Sequence, residues 1–387
     1  MNRVLVIPPN DILRHPIPNR IYHIASRLSR KYEVMLLYYP KHPHAKDKLR
    51  DFPHIPVTYR GLGVKNLGIY YVVNAPSIYA ALKKAVPQAD TVIHANILPS
   101  LIATKLAKRY KKPAIYDYVD HYPESAAAYY KSDIAKFVVR EGTFRIVYPA
   151  LKDSTHIVVP SYGLRHFLKS IIDKPISVIP NGVDAEKFRP MDMAQARKAI
   201  GLDTENFTLL LQGSIDVWQE IEPVIYAVKK LNEKNIKVDI VIVGYSHGKY
   251  YYQKLMGMIK ALQLQARIHT YPPQPYEKMP FFISATNALV APFKKGLISY
   301  ATPLKIIEAL ACGRPVLTTD ITEFKIWFRK GLFIYNDIKS FMNNVKYLIQ
   351  NWEDIEKILS ENSAIIRKTH SWDTLANKYI NILNTVI

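Results

Sequence analysis

The sequence predicts an α/β fold made of two domains, each built on a parallel sheet. Strand-like runs that are apolar on both faces alternate with amphipathic helical patterns along most of the chain. This alternation is typical of parallel sheets that are covered by helices on both sides. The 387 residues, 49% of them hydrophobic, are enough for two domains of ordinary size with separate cores.

The first half of the chain predicts seven strands separated by helices. RVLVIPP is a buried strand, and the helical pattern of NRIYHIASRLSRKY follows it. The further predicted strands are EVMLLYYP, IPVTYR, ADTVIHAN, KPAIYDYVD, THIVVPS and PISVIPNGV. Ligands of such sheets lie beyond the carboxyl ends of the strands. The loops after these strands are therefore the first places to look for a site.

The second half repeats this plan with TLLLQGS, VDIVIVG, ARIHTYP and ALVAPF as strands. Its most informative stretch is TPLKIIEALACGRPVLTTD, residues 302–320. Thr302 is predicted to be a helix N-cap and Pro303 the first helical residue. Lys305 and Glu308 share the face opposite the apolar one, either as an ordinary surface ion pair or as part of a ligand site. Free N–H groups at the start of this helix suit a phosphate.

This stretch resembles the signature P-x-K-x-x-E-A-x-A-x-G-x-P-V of glycosyltransferase family 4, whose members have the GT-B fold. NGVDAEKFRP, residues 181–190, is similar to the junction between the two halves of that family. The resemblance implies two Rossmann-like parallel-sheet domains facing a cleft. It implies an acceptor-binding domain over residues 1–185, a nucleotide-sugar-binding domain over 186–369, and a C-terminal helix over 370–387 that packs back on the first domain.

The same resemblance implies which residues form the donor site. Glu308 would hold the ribose of a nucleotide sugar, and the amides that open its helix would hold the diphosphate. Gly213 and Ser214 end a predicted strand where the backbone can approach a phosphate closely. The expected donor-binding residues are Gly213, Ser214, Thr302, Pro303, Leu304, Lys305 and Glu308.

His121 and Asp120 follow the fifth strand of the first half, in YDYVDHYPES. A lone histidine is more often structural, and Asp120 can cap the next turn or orient the imidazole. The family commonly has a histidine in this loop that contacts the donor sugar near the reacting centre. The resemblance therefore implies catalytic roles for His121, Asp120 and Glu308.

Two positions depart from the family pattern. Ser214 stands where relatives usually have arginine, and Tyr300 stands where they have the first glutamate of an E-x7-E pair. The remaining candidate cations for a diphosphate are Lys294, Lys295 and Lys305. These departures leave open that the chain is a catalytically silent relative acting as a partner subunit.

The formal charge of +21 calls for an anionic partner. Residues 1–185 hold 27 Lys and Arg against 13 Asp and Glu, so they carry a net charge of +14. This charge suits an anionic membrane surface, a phosphorylated substrate or a nucleic acid, or it is a solvated surface. The candidate membrane cations are Lys131, Lys136, Arg140 and Arg145. Arg14, His15 and Arg20 are candidates for an acceptor phosphate or an ordinary solvated loop.

Other features exclude several classes of protein. Cys312 is the only cysteine, which rules out an intramolecular disulfide and fits a reducing cytoplasmic setting. No apolar run is long enough to span a bilayer. No D-x-D motif is present, so no metal is expected, and G-x-G-x-x-G is absent too. A nucleic-acid-binding protein remains the less favoured alternative, since no recognisable reading element accompanies the charge.

The sequence and the resemblance together predict a retaining hexosyltransferase. Its donor substrate would be a UDP- or GDP-linked sugar, with no separate cofactor. Its acceptor would be a hydroxyl of a glycan or lipid-linked glycan at the cytoplasmic face of an anionic membrane.

Overall fold

The chain forms two compact units in the computed structural model. The structure describes residues 1–45, 49–214, 219–245, 249–294, 300, 302–328 and 330–387. The first unit comprises Met1–Pro180 with Trp372–Ile387, and the second comprises Asn181–Ser371. The chain therefore passes from the first unit to the second after Pro180 and returns after Ser371.

Seven parallel strands form the sheet of the first unit, counted among its described residues, in the order β3-β2-β1-β4-β5-β6-β7. The strands are β1 (Arg3–Ile7), β2 (Glu33–Leu37), β3 (Ile55–Val57), β4 (Thr91–His94), β5 (Ala114–Asp117), β6 (His156–Val159) and β7 (Ile176–Val178). Val4 of β1 lies opposite Val34 of β2 on one side and Thr91 of β4 on the other. Four of the five residues of β1 are buried, as the apolar run predicted.

Helices connect these strands and cover the sheet. They are α1 (Arg20–Leu28), α2 (Leu67–Ala85), α3 (Leu98–Arg109), α4 (Tyr122–Ala127), α5 (Asp133–Asp153) and α6 (Tyr162–Lys169). Asn19 and Asn66 cap α1 and α2, since each side chain accepts a hydrogen bond from a backbone N–H in the first turn. On one side of the sheet, α2 packs on α3 and α3 packs on α5.

The described part of the second unit holds six parallel strands, in the order β10-β9-β8-β11-β12-β13. They are β8 (Phe207–Ser214), β9 (Val238–Tyr245), β10 (Ile268–Tyr271), β11 (Ala288–Ala291), β12 (Val316–Thr318) and β13 (Leu332–Ile334). The helices are α7 (Met193–Ile200), α8 (Ile221–Glu233), α9 (Lys249–Ala261), α10 (Met279–Ser284), α11 (Leu304–Ala311), α12 (Thr322–Trp327), α13 (Ile338–Gln350) and α14 (Trp352–Thr369).

The last helix, α15 (Trp372–Val386), belongs to the first unit and packs on α1. The Trp372 ring stacks on His23 with 4.7 Å between ring centroids. Arg27 and Arg30 both form ion pairs with Asp373 at 2.9 Å. The predicted fold class, two Rossmann-like parallel-sheet domains with a C-terminal helix on the first, is confirmed.

Candidate functional site

The carboxyl ends of β8 and β9 lie side by side in the second unit, with Gly213 opposite Gly244. A Cβ atom at position 244 would lie 1.8 Å from the carbonyl oxygen of Gly213, so only glycine fits there. Gly213 has φ of +98°, and a Cβ atom there would lie 3.8 Å from Nζ of Lys305. Gly244 therefore lets the end of β9 approach β8 closely, and Gly213 lies beside the Lys305 side chain of α11.

Glu308 lies on α11 and is only 5% exposed. Tyr276 donates its hydroxyl hydrogen bond to Oε1 of Glu308 at 2.9 Å, and Nε2 of Gln212 lies 3.5 Å from Oε2. Burial raises the pKa of Glu308 to about 7, while the bond from Tyr276 and the nearby Lys305 ammonium oppose this shift. The carboxylate is not half of an exposed surface ion pair, which was one of the two interpretations of the sequence.

Lys305 extends from the first turn of α11 towards the end of β8. Its Nζ donates to the carbonyl oxygen of Gln212 at 2.9 Å and lies 5.2 Å from the centre of the Phe293 ring. Burial lowers the pKa of Lys305 to about 8, and the charge of Glu308 opposes that shift. At neutral pH, Lys305 is therefore mostly a cation beside the backbone of Gln212 and Gly213.

Two buried polar atoms at this place have no hydrogen-bond partner among the described residues. They are Oε1 of Gln212 and Oγ1 of Thr302. Thr302 is held through its carbonyl oxygen, which accepts a hydrogen bond from Nδ2 of Asn181 at 2.8 Å. A buried polar atom without a partner destabilises a protein by about 1–3 kcal/mol. Both atoms are therefore suited to bind a polar ligand.

The start of α11 differs from the prediction by one residue. The helix begins at Leu304, Pro303 occupies the N-cap position, and no side-chain capping bond is formed. The prediction that Thr302 caps the helix is therefore wrong. Proline at this position has no N–H to offer, so the free amides that open the helix begin with Leu304 and Lys305.

His121 and Asp120 lie together in the first unit, directly after β5. An oxygen of Asp120 accepts a hydrogen bond from the backbone N–H of His121 at 2.8 Å, and the other accepts from the Ser125 hydroxyl. Nδ1 of His121 lies 3.1 Å from the Tyr118 hydroxyl. Burial lowers the pKa of His121 and raises that of Asp120. The imidazole is therefore mostly neutral at pH 7.

Other charged residues named from the sequence form ion pairs within the first unit. Arg20 is buried and binds the Asp117 carboxylate at 2.9 Å and the carbonyl oxygen of Pro180 at 2.8 Å. Arg20 is the first residue of α1 and is buried, so the alternative that it lies in a solvated loop is wrong, and its ion pair within the first unit does not favour a role in binding an acceptor phosphate. Arg14 pairs with Asp11 at 2.6 Å.

Sequence reasoning missed Gln212 and Tyr276, which hold Glu308. Gln212 carried a weak signal, because it is the first polar residue at the end of the apolar run TLLL. Tyr276 begins a short 3-10 helix, Tyr276–Lys278, whose sequence has no pattern to distinguish it. The side chain of Ser214 and the whole of Lys295 lie outside what the structure describes, whereas Lys294 is exposed.

None of the helices in the described ranges is both long and apolar enough to cross a membrane.

Two family descriptions match successive parts of the sequence. "Glycosyltransferase Family 4" matches residues 17–187, and "Glycosyl transferases group 1" matches residues 192–378. Together the matches take in most of both units.

Curated relatives match over less than half of their length. A D-inositol 3-phosphate glycosyltransferase of Frankia alni is 27% identical over 177 residues, which are 43% of this chain and 42% of that protein. A UDP-Gal:alpha-D-GlcNAc-diphosphoundecaprenol alpha-1,3-galactosyltransferase of Escherichia coli is 32% identical over 184 residues, 43% of each protein.

Solved structures with similar folds match over the whole chain. Sucrose-phosphate synthase from Thermosynechococcus elongatus superposes with a TM-score of 0.81 at 16% identity, over 100% of this chain and 99% of that one. HepE of Anabaena in complex with UDP and glucose gives a TM-score of 0.73 at 15% identity, over 100% of both chains. WaaG, a glycosyltransferase involved in lipopolysaccharide biosynthesis, gives 0.69 at 14% identity, over 99% of both.

Proposed function

Because this chain belongs to glycosyltransferase family 4, the group 1 glycosyltransferases with the GT-B fold, we propose that it is a retaining hexosyltransferase. Its donor is a nucleotide diphosphate sugar linked to uridine or guanosine, and its acceptor is a hydroxyl group. No further cofactor or metal is part of this proposal.

One observation carries the donor assignment. Lys305 and Glu308 contact Gln212 at the end of β8, where an oxygen of Gln212 is unpaired, and the unpaired Thr302 hydroxyl lies just before α11. A ribose has hydroxyl groups that can donate to Glu308 and Gln212. A diphosphate has oxygens that can accept from the Thr302 hydroxyl, the Lys305 ammonium and the first amides of α11. One ligand would satisfy all of these groups.

The chemistry assigned to this site is electrostatic and needs no protein nucleophile. As the bond between the sugar and the diphosphate breaks, negative charge grows on the leaving oxygens. Lys305 and the amides at the start of α11 stabilise that charge best when they are already in position. Lys305 is held by the Gln212 carbonyl oxygen, and its pKa of about 8 keeps it mostly protonated at neutral pH.

His121 and Asp120 are assigned to the sugar or acceptor side. Asp120 is fixed by the backbone N–H of His121 and by Ser125, so it orients the loop in which the imidazole lies. A neutral imidazole can donate a hydrogen bond to a sugar hydroxyl through one nitrogen and accept one from it through the other. This is the role that the resemblance to the family implies for the histidine of this loop.

The proposed acceptor is a glycan carried by a lipid, at the cytoplasmic face of an anionic membrane. The net charge of +14 on residues 1–185 supports this acceptor, because each cation near an anionic surface contributes about 1 kcal/mol to binding. The name of the 32% identical relative, which acts on a diphosphoundecaprenol-linked sugar, also supports it.

A second candidate function is a partner subunit that binds a nucleotide sugar without turning it over. Ser214 and Tyr300 favour this alternative, since the family usually has an arginine and a glutamate at these positions. The protein would then make fewer contacts with the diphosphate and with the sugar of the donor.

Calorimetric titration with a panel of UDP and GDP sugars tests the donor site. We expect one donor to bind the wild type and Glu308→Ala to weaken that binding about tenfold or more, because a charge-assisted hydrogen bond to a ribose hydroxyl is lost. Glu233→Ala is the matched control, since it removes an exposed carboxylate from α8 of the same unit. Its affinity should equal that of the wild type.

The outcomes separate the two candidate functions. Binding followed by release of the nucleotide in the presence of a lipid-linked acceptor supports the transferase. Binding without release, over a range of such acceptors, favours the partner subunit. If neither wild type nor variants bind any donor, the assignment of the site around Glu308 is wrong.

A further inference from the structure

Helix α2 is apolar on two opposite faces. Residues 67–82 of this helix contain no Asp, Glu, Lys or Arg. One face packs into the core of the first unit through Tyr70, Ile78 and Leu82. On the other face, Ile69 is 53% exposed and Val72 is 64% exposed. A helix that is hydrophobic all round is normally covered on all sides. We therefore expect another molecule or a membrane to cover this second face.

The first half of α5 presents a similar surface. Ile134 is 78% exposed and Phe137 is 60% exposed, and Val138 beside them is exposed as well. Their spacing of three and four residues places them on one face of the helix. Large apolar side chains exposed at two places in one unit exceed the scattered exposure that is normal for a soluble surface.

The topology places both faces on the same side of the sheet and at the same end. The connections through α2, α3 and α5 lead from β3 to β4, from β4 to β5 and from β5 to β6, always in the same direction across the sheet. Right-handed crossovers then put all three helices on one side. Each of them runs back to the start of a parallel strand, so its first half lies near the carboxyl ends of the strands, where His121 also lies.

Basic residues flank the apolar face of α2. Arg60 and Lys65 precede the helix, and Lys83 and Lys84 follow its uncharged run, all four exposed. An apolar face with cations at both ends is complementary to an anionic phospholipid surface, whose headgroups pair with the cations while the acyl region receives the apolar side chains.

We infer that the exposed faces of α2 (Ile69, Val72 and Val73) and of α5 (Ile134, Phe137 and Val138) are one lipid-docking surface. These faces insert into the interface of an anionic bilayer and bring the carboxyl end of the first sheet to the membrane. The inference deepens the proposed function, on which it rests for the lipid carrier of the acceptor. Membrane binding itself requires no donor and is measurable without it.

Sedimentation with vesicles of phosphatidylglycerol and phosphatidylcholine tests the surface. We expect the wild type to bind, and both Ile69→Gln/Val72→Gln and Ile134→Gln/Phe137→Gln to bind about tenfold or more weakly. Glutamine removes apolar area without changing the charge and is a good helix former. Ile358→Gln/Ile365→Gln on α14 is the matched control, with Ile365 61% exposed, and should bind like the wild type.

Several outcomes would overturn the inference. Absence of vesicle binding by the wild type does so, as does unchanged binding by both surface variants. A wild-type dimer in sedimentation velocity that becomes a monomer in the surface variants shows that a second copy covers the faces instead. Circular dichroism checks that the variants are folded, and calorimetry with the nucleotide-sugar panel shows whether the donor site is intact. Failure of the surface and failure of the proposed function are thereby distinguished.

Discussion

Glu308 and Lys305 are titratable groups whose protonation is set mainly by burial. Burial raises the pKa of the carboxyl to about 7 and lowers that of the ammonium to about 8. Between these values both groups are mostly charged, whereas below pH 7 Glu308 gains a proton. Two buried titratable groups with shifted pKa values indicate a functional site, because packing alone would favour apolar residues at buried positions.

Replacing Glu308 with glutamine should stabilise the ligand-free protein at alkaline pH. The pKa of a glutamate is near 4.3 in the unfolded chain, whereas burial raises the pKa of Glu308 to about 7 in the folded protein. The stability that wild-type Glu308 contributes in its neutral form is therefore fully present below about pH 4.3 and is lost as the pH rises through about 7. We expect the stability of Glu308→Gln relative to wild type to rise by about 1–3 kcal/mol between pH 4.5 and pH 8. Urea unfolding at both values measures this difference.

Glu233→Gln is the control for that experiment, since Glu233 is an exposed carboxylate paired with Lys229 at 3.5 Å. Its stability relative to wild type should change little between the two pH values. A flat difference for Glu308→Gln as well would mean that Glu308 is ionised in the folded protein throughout the range, contrary to its burial.

At the scale of elements, α15 shows how a distant segment is fixed to the first unit. Tyr379 donates its hydroxyl hydrogen bond to Oδ2 of Asp117, which also binds Arg20. These three side chains are buried, so each polar group depends on the others for compensation. Asp117 ends β5, and Asp120 and His121 follow three and four residues later, so this network also supports the loop that carries them.

Tyr379→Phe should therefore destabilise the first unit without changing its shape. Removing a hydrogen bond to a buried carboxylate costs about 1.5–3 kcal/mol. Denaturant unfolding followed by circular dichroism measures this loss. Tyr226→Phe on the exposed face of α8 is the control and should stay within about 0.5 kcal/mol of wild type. Equal stability of both variants would show that Asp117 does not depend on Tyr379.

For the whole molecule, we expect the charge of +21 and the apolar faces of α2 and α5 to make separable contributions to the proposed membrane binding. Two of the four cations that the sequence singled out are already paired, Lys136 with Asp133 at 2.8 Å and Arg140 with Glu124 at 2.7 Å. Their charge is partly compensated within the protein. The apolar faces are therefore expected to supply a part of the binding that salt does not screen.

Vesicle binding should fall by no more than about tenfold between 0.1 and 0.5 M NaCl, because screening acts on the charges and not on inserted apolar side chains. The variant Lys131→Gln/Lys136→Gln/Arg140→Gln/Arg145→Gln should lose a part of this salt dependence, because the cations that flank α2 are unchanged, and should keep the binding that the apolar faces supply. Complete loss of wild-type binding at 0.5 M NaCl would instead assign the membrane contact to charge alone.

The sequence by itself determined the two parallel-sheet domains and the family, because both follow from local patterns. Strands that are apolar on both faces need helices on both sides, and residues 302–320 carry a contiguous signature. Only the tertiary structure decided how the site is held. Gln212 and Tyr276 reach Glu308 across 96 and 32 positions of the chain, and Tyr379 reaches Asp117 across 262. Such contacts, and the burial that shifts the pKa values of Glu308 and Lys305, arise from packing that no local pattern records.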